Sequence, residues 1–143
     1  MDDPSTPVHF FPACCASALH WAAETQKAAA SVGFDWPRID GVIDKLREEV
    51  AELDAAINGN AIEHAHAELG DVLFSAVNLA RFLDTDPETA LRNATIRFQQ
   101  RFNALRDMAA RAGKPLEQCQ LHEMDALWEK IRLERKASGI ETH

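Results

Sequence analysis

The chain contains no tyrosine, only three cysteines, and too little base to balance its acid: 15 Lys and Arg stand against 23 Asp and Glu, a formal net charge of −8. Each shortage excludes something. Broad binding to nucleic-acid polymers or anionic membranes needs a basic surface, and this chain has the opposite balance. Cys14, Cys15 and Cys119 are odd in number and show no C-x-x-C spacing. That argues against a disulfide framework or a zinc site and fits a reducing cytoplasm. The N-terminal residues Asp2, Asp3, Pro4 and Pro7 offer neither a basic region nor a long apolar run, so no signal peptide and no membrane span are expected. A small phosphate ligand is not excluded by net acidity, because metal ions can sit between carboxylates and phosphates.

What is present favours helix. Apolar residues make up 46% of the 143, with alanine and leucine prominent and few β-branched runs. Residues 1–12 read as a flexible leader with several prolines, residues 13–137 as one all-α domain, and residues 138–143 as a frayed tail. The first helix is expected over Ala13–Ser31, ended by Gly33. Asp40 is a plausible N-cap for a second helix reaching Ile57, where Asn58-Gly59-Asn60 turns the chain. A third helix should span Ala61–Leu83. Asp86-Pro87-Glu88 opens a fourth that runs to Ala112, with Asp at the cap and Pro at the first helical position. A fifth covers Leu121–Ala137. Short connections make helices two, three and four antiparallel neighbours, as in a bundle.

The chemistry concentrates on helices two and three. In helix two, Ile43, Leu46, Val50, Leu53 and Ile57 repeat at alternating three and four and predict the core stripe, while Glu48, Glu49 and Glu52 gather on another face. Helix three is apolar around most of its cylinder. Its exceptions, Glu68, Asp71, Ser75 and Asn78, occupy an arc about 80° wide by helical rotation. Such a helix is expected to be buried, and buried carboxylates need cationic partners or metal. Gly70, costly inside a helix, predicts the close approach of a neighbouring helix or ligand. If helices two and three are antiparallel neighbours, four or five carboxylates converge. A hard, all-oxygen cluster suits Mg²⁺ or Mn²⁺ better than zinc and points to phosphate chemistry.

Glu48-Glu49-x-x-Glu52 followed by Glu68-x-x-Asp71 resembles the metal signature of the MazG pyrophosphohydrolases. Gln26-Lys27-Ala28-Ala29, Gly33-Phe34-Asp35-Trp36-Pro37, Asp44-Lys45, Glu68–Phe74, Val77–Arg81, Asp86-Pro87-Glu88, Ala90-Leu91-Arg92, Phe98 and Arg101-Phe102 extend the likeness in order across residues 18–135. It is strongest to the C-terminal domain of two-domain members. The resemblance implies a MazG-like bundle of five helices that assembles through helix packing into a homodimer or homotetramer. It also implies Mg²⁺-dependent hydrolysis of (d)NTPs to monophosphate and pyrophosphate by metal-activated water attacking the α-phosphorus, with nucleotide-pool house-cleaning as the role. By that likeness Glu49, Glu52, Glu68 and Asp71 are the metal ligands and Glu48 a ligand or supporting acid, with Glu48 or Glu49 accepting the water's proton.

Contacts for the triphosphate are sought in Lys45, in Arg97 and Arg101 at i,i+4 on helix four, and in Trp128 and Arg132 at the same spacing on the last helix. Arg97 and Arg132 stand where relatives more often carry lysine, and arginine forks differently around phosphate. Phe34 and Trp36 are placed to stack on a base or to pin helices together. A di-iron bundle is the weaker reading, because Glu63-x-x-His66 has no second such pair. The remaining alternatives are a non-catalytic dimerisation or partner-binding module, and a relative restricted to one nucleotide such as dUTP or dCTP.

Overall fold

The computed structural model describes residues 17–140. The expected leader, Cys14 and Cys15, and positions 141–143 lie outside the described residues. Among those described there are five α-helices, one 3-10 turn and no strand. The helices are α1 (Ala18–Ser31), α2 (Ile39–Asn58), α3 (Ile62–Phe82), α4 (Pro87–Arg111) and α5 (Leu121–Ala137), with the 3-10 turn at Leu116–Gln118. The all-α class and the count of five are as the sequence predicts.

Ends follow local chemistry. Ser17 has extended backbone and its Oγ accepts from the His20 amide, so α1 starts at Ala18, later than the alanine-rich pattern suggests. Asp40 does not cap α2. Arg38 holds that position without a side-chain cap, and Asp40 sits in the first turn, where its carboxylate accepts from Arg38 and favours the positive end of the helix. Asn60 takes the left-handed φ of +54° that turns the chain from α2 into α3. Asp86 does cap α4: its Oδ2 accepts from both the amide and the hydroxyl of Thr89. At α5 a capping box joins Gln120 and Glu123, a signal missed in sequence because Gln is an unusual cap residue.

The chain divides into two compact units, residues 1–90 and 91–143. In the second, Leu105 and Ala109 of α4, Leu116 of the 3-10 turn and Ile131 of α5 form a small buried cluster, with Met108, Leu127 and Trp128 packed against it. In the first, α2 and α3 form an antiparallel hairpin through the short 59–61 turn, and α1 packs against α3.

That hairpin is built differently from its apolar pattern. The buried line of α2 is Val42, Glu49 and Ala56, while Val50 and Ile57 of the expected core stripe are about half exposed. On α3 the buried residues are Ala65, Glu68, Ser75 and Val77, while Leu69, Leu73 and Phe74 are each about half exposed. The expectation of a fully buried α3 therefore fails for the single chain. Of its polar arc, Glu68 and Ser75 are buried and Asp71 is exposed. Gly70 fails its expectation too, since a Cβ there would meet nothing within 4 Å.

Candidate functional site

The polar arc of α3 is the candidate site. Glu49 from α2, with Glu68 and Asp71 from α3, each bring one carboxylate oxygen to within 4.8 Å of the others. Glu49 and Glu68 are buried, at 6% and 7% exposure, and Asp71 is exposed. Two carboxylates so deeply placed need compensation, and the chain supplies part of it. Lys45 Nζ lies 2.6 Å from Glu49 and 3.2 Å from Glu48, and those two acids raise the lysine well above its usual range. His64 Nε2 lies 3.0 Å from Glu68 on the solvent side, an i,i+4 partner that the sequence reading left on the surface.

Negative charge still exceeds positive. Glu52 stands outside the group of three oxygens, yet its carboxyl is pushed up by partial loss of solvent and then by the charges of Glu68, Glu49 and Glu48. Crowding of that sign is what a bound cation relieves. The donor set, all carboxylate oxygen on two rigid helices, fits a hard divalent ion. Of the expected ligands, the structure brings Glu49, Glu68 and Asp71 together, with Glu52 alongside and Glu48 drawn to Lys45.

Glu49 and Asp71 also line a pocket of about 790 Å³. Its walls include Phe34 and Trp36 of the loop before α2, Ala29 of α1, Val42 and Lys45 of α2, and Phe74, Ser75 and Asn78 of α3. The loop is anchored by Asp35, which accepts from Arg81 Nη1 at 2.9 Å and from Nη2 at 2.5 Å. Arg81 holds the Asp35 carboxyl below the usual carboxylate range, and Asp35 in turn raises Arg81. The same guanidinium donates to Asn78 Oδ1 at 2.8 Å. Gly41 leaves room for the Trp36 indole against α2: a Cβ there would stand 2.7 Å from the ring's Cε3. Neither the Asp35–Arg81 clamp nor the buried Gln26 was assigned a role from sequence. No periodicity connects a loop aspartate to an arginine 46 residues later.

The remaining candidates belong to the second unit. Trp128 lies with its ring 5.3 Å from that of Phe98, and the Arg101 guanidinium lies 6.0 Å from the Trp128 ring centre. Arg132 is turned to Glu129, its Nε and Nη2 donating to one carboxylate oxygen at 3.0 and 2.8 Å. Arg97 is exposed on α4.

Residues 39–105, which span the α2/α3 hairpin, match the family model described as the MazG nucleotide pyrophosphohydrolase domain. The chain is 43% identical over 115 residues to the nucleoside triphosphate pyrophosphohydrolase/pyrophosphatase MazG of Thermotoga maritima, covering 80% of this chain and 44% of that protein. It is 36% identical over 117 residues to the nucleoside triphosphate pyrophosphohydrolase of Escherichia coli K12, with the same shares covered. The chain thus spans less than half the length of these curated relatives.

Proposed function

We propose, from the premise that this chain belongs through residues 39–105 to the MazG family, that it hydrolyses nucleoside triphosphates to monophosphate and pyrophosphate. The observation that carries the reading is the convergence of Glu49, Glu68 and Asp71 beside a pocket large enough for a nucleoside. Glu49, Glu68 and Asp71 would hold a divalent cation, Mg²⁺ or alternatively Mn²⁺. When bound it supplies charge neutralisation for the triphosphate and a lowered pKa for water, the chemistry that attack at the α-phosphorus needs.

The chain's own groups divide the remaining work. Lys45 pairs with Glu49 and places a positive charge beside the cluster. Glu52 has no ion pair among the described residues and stands beside the cluster, so it is the carboxylate left to take the water's proton. The family likeness implies Arg97, Arg101, Trp128 and Arg132 as contacts for the triphosphate; within the second unit the Arg101 guanidinium lies 6.0 Å from the Trp128 ring centre. Arg132 would have to exchange Glu129 for phosphate.

The outward faces of α2 and α3 call for a second copy of the chain. Val50, Ile57, Leu69 and Leu73 are each about half exposed, and Gly70 lies beside the last two with open space over it. A homodimer, or a tetramer built from two, covers that surface by helix packing. Among the described residues no helix is long and apolar enough to cross a membrane. A cytoplasmic role in clearing unwanted nucleotides fits this reading.

Product analysis over a panel of NTPs and dNTPs, with Mg²⁺ and with EDTA, tests the proposal. Monophosphate with pyrophosphate, formed only with metal, is the expected result. Diphosphate with orthophosphate would mean attack at a different phosphorus. No turnover by folded protein would leave a binding module.

A further inference from the structure

The polar arc of α3 continues past the carboxylates. Ser75 stands one turn after Asp71, Asn78 follows at i,i+3, and both line the pocket that Glu49 and Asp71 share. Ser75 is 8% exposed, yet its hydroxyl makes no hydrogen bond with any described residue. Thr25, Thr95 and Ser138 turn their hydroxyls onto the carbonyl four residues back; Ser75 leaves that partner unused. Nor is its hydroxyl sealed in. Among the described residues, the side-chain atoms both shut off from solvent and without a partner are Gln26 Oε1 and Arg81 Nε. The little of Ser75 that stays open therefore includes Oγ, and the space it opens to is the pocket whose wall it forms.

Asn78 is half-buried, and its Oδ1 accepts from Arg81 Nη2 at 2.8 Å. Asp35 holds the same guanidinium. With its oxygen taken, the amide has its NH₂ end left to donate. Ser75 Oγ both donates and accepts, and the i,i+3 spacing sets the two groups on one face.

Along α3 the chemistry of the pocket comes in order. Glu68 and Asp71 mark its carboxylate end. At roughly 1.5 Å of rise per residue, Ser75 lies about 6 Å further along the axis, Asn78 about 10 Å and Arg81 about 15 Å. At Arg81 the clamp brings in the Asp35 loop, whose Phe34 and Trp36, 82% and 40% exposed, line the same pocket. A nucleotide presents its parts in the same order: phosphate, hydroxylated sugar, planar base. A phosphate belongs at the carboxylate end through its cation, and a base suits the aromatic end. The sugar is joined to the α-phosphorus by one ester oxygen and one methylene, which sets it at the serine turn.

We infer that Ser75 reads the sugar, its Oγ hydrogen-bonding a ribose hydroxyl beside the Asn78 amide. The inference rests on the nucleotide reading above and deepens it. A side chain that donates and accepts is matched by another hydroxyl whichever way the protons lie. A nucleotide lacking that hydroxyl would bury Oγ with nothing to bond, which is how such a site rejects a deoxy analogue. Ser75 is thus a specificity-determining residue for the sugar.

The test compares kcat/KM, by pyrophosphate release with Mg²⁺, for ATP, for dATP, which lacks one ribose hydroxyl, and for cordycepin triphosphate, which lacks the other. The wild-type protein should favour ATP over at least one of the two by about 10-fold or more, and the analogue that suffers identifies the hydroxyl. Ser75→Ala should bring the three within about 3-fold by lowering ATP. It should melt no lower than wild type, because the lost hydroxyl bonds nothing in the protein and alanine is the better helix former. Equal rates on all three by wild-type protein overturn the inference without any variant. So does a preference that survives in Ser75→Ala, or an equal loss on all three, which would put the hydroxyl on phosphate or metal. A Ser75→Ala protein that melts well below wild type overturns it too, by returning the hydroxyl to a structural role. If no triphosphate is turned over, the hydrolase reading fails by itself. Calorimetric binding of AMP, dAMP and cordycepin monophosphate then decides, and equal affinities or no binding overturn the inference there.

Discussion

Lys45 reaches along one turn of α2 and sets its Nζ 2.6 Å from the buried carboxylate of Glu49. The pair is the chain's own substitute for part of the positive charge that the cluster needs. Lys45→Met should lower the melting temperature of metal-free protein, and added Mg²⁺ should close part of that gap, because the cation then compensates Glu49. A thermal-shift series with and without Mg²⁺ reads this directly; a gap unchanged by metal would separate Lys45 from the site. The sign with pH follows from the raised lysine. Its stabilisation is full below the ordinary lysine pKa of about 10.4 and is lost only as pH climbs through the higher folded value. The wild-type advantage should therefore be flat through neutrality.

Asp71 and Glu52 should separate by what they lose. Asp71→Asn removes one of three converging oxygens, so Mg²⁺ or Mn²⁺ affinity by calorimetry should fall at least about 10-fold and turnover with it. Glu52→Gln should keep most of the metal affinity while kcat falls about 100-fold or more, the range for losing a general base. Retained turnover in Glu52→Gln would move proton acceptance to another carboxylate.

The Asp35–Arg81 clamp should show itself in acid. Arg81 depresses the Asp35 carboxyl, so the stabilisation is present above the unfolded aspartate value of about 3.9 and is lost as pH falls through the lower folded value. Asp35→Asn should be less stable than wild type at pH 7, and urea midpoints of the two should converge below about pH 4. Parallel curves down to pH 2 would show that the ion pair contributes nothing measurable.

Leu73→Glu places a charge on the outward face of α3, where the side chain is 54% exposed in the single chain. Wild-type protein should run as a dimer or larger by light scattering, and the variant as a monomer with intact helicity. A monomeric wild type would remove the argument for a second copy.

Much of the architecture was legible in advance. Asp86-Pro87 marks the start of α4 because capping and proline chemistry are local, and the span of α5 follows from its apolar spacing. The acidic cluster was legible for a related reason: Glu49, Glu68 and Asp71 need only helical rotation and a short turn to bring them together. The packing face of α2 was not. Periodicity reports which side chains avoid water, and Val50 and Ile57 stay about half exposed among the described residues. Gln26 and the Asp35–Arg81 clamp were invisible because their partners lie on other segments, joined by contacts that leave no spacing rule.

The outward apolar faces of the α2/α3 hairpin have a consequence for how much protein is present. If copies pair through these faces as proposed, a fold with carboxylate and amide inside and leucine and valine outside gains part of its stability by mass action. Its melting temperature should climb with total concentration, and dilution alone should weaken it. Under the proposed assembly, abundance becomes a control in its own right, because the hairpin that carries Glu49 and Glu68 is covered only when copies meet.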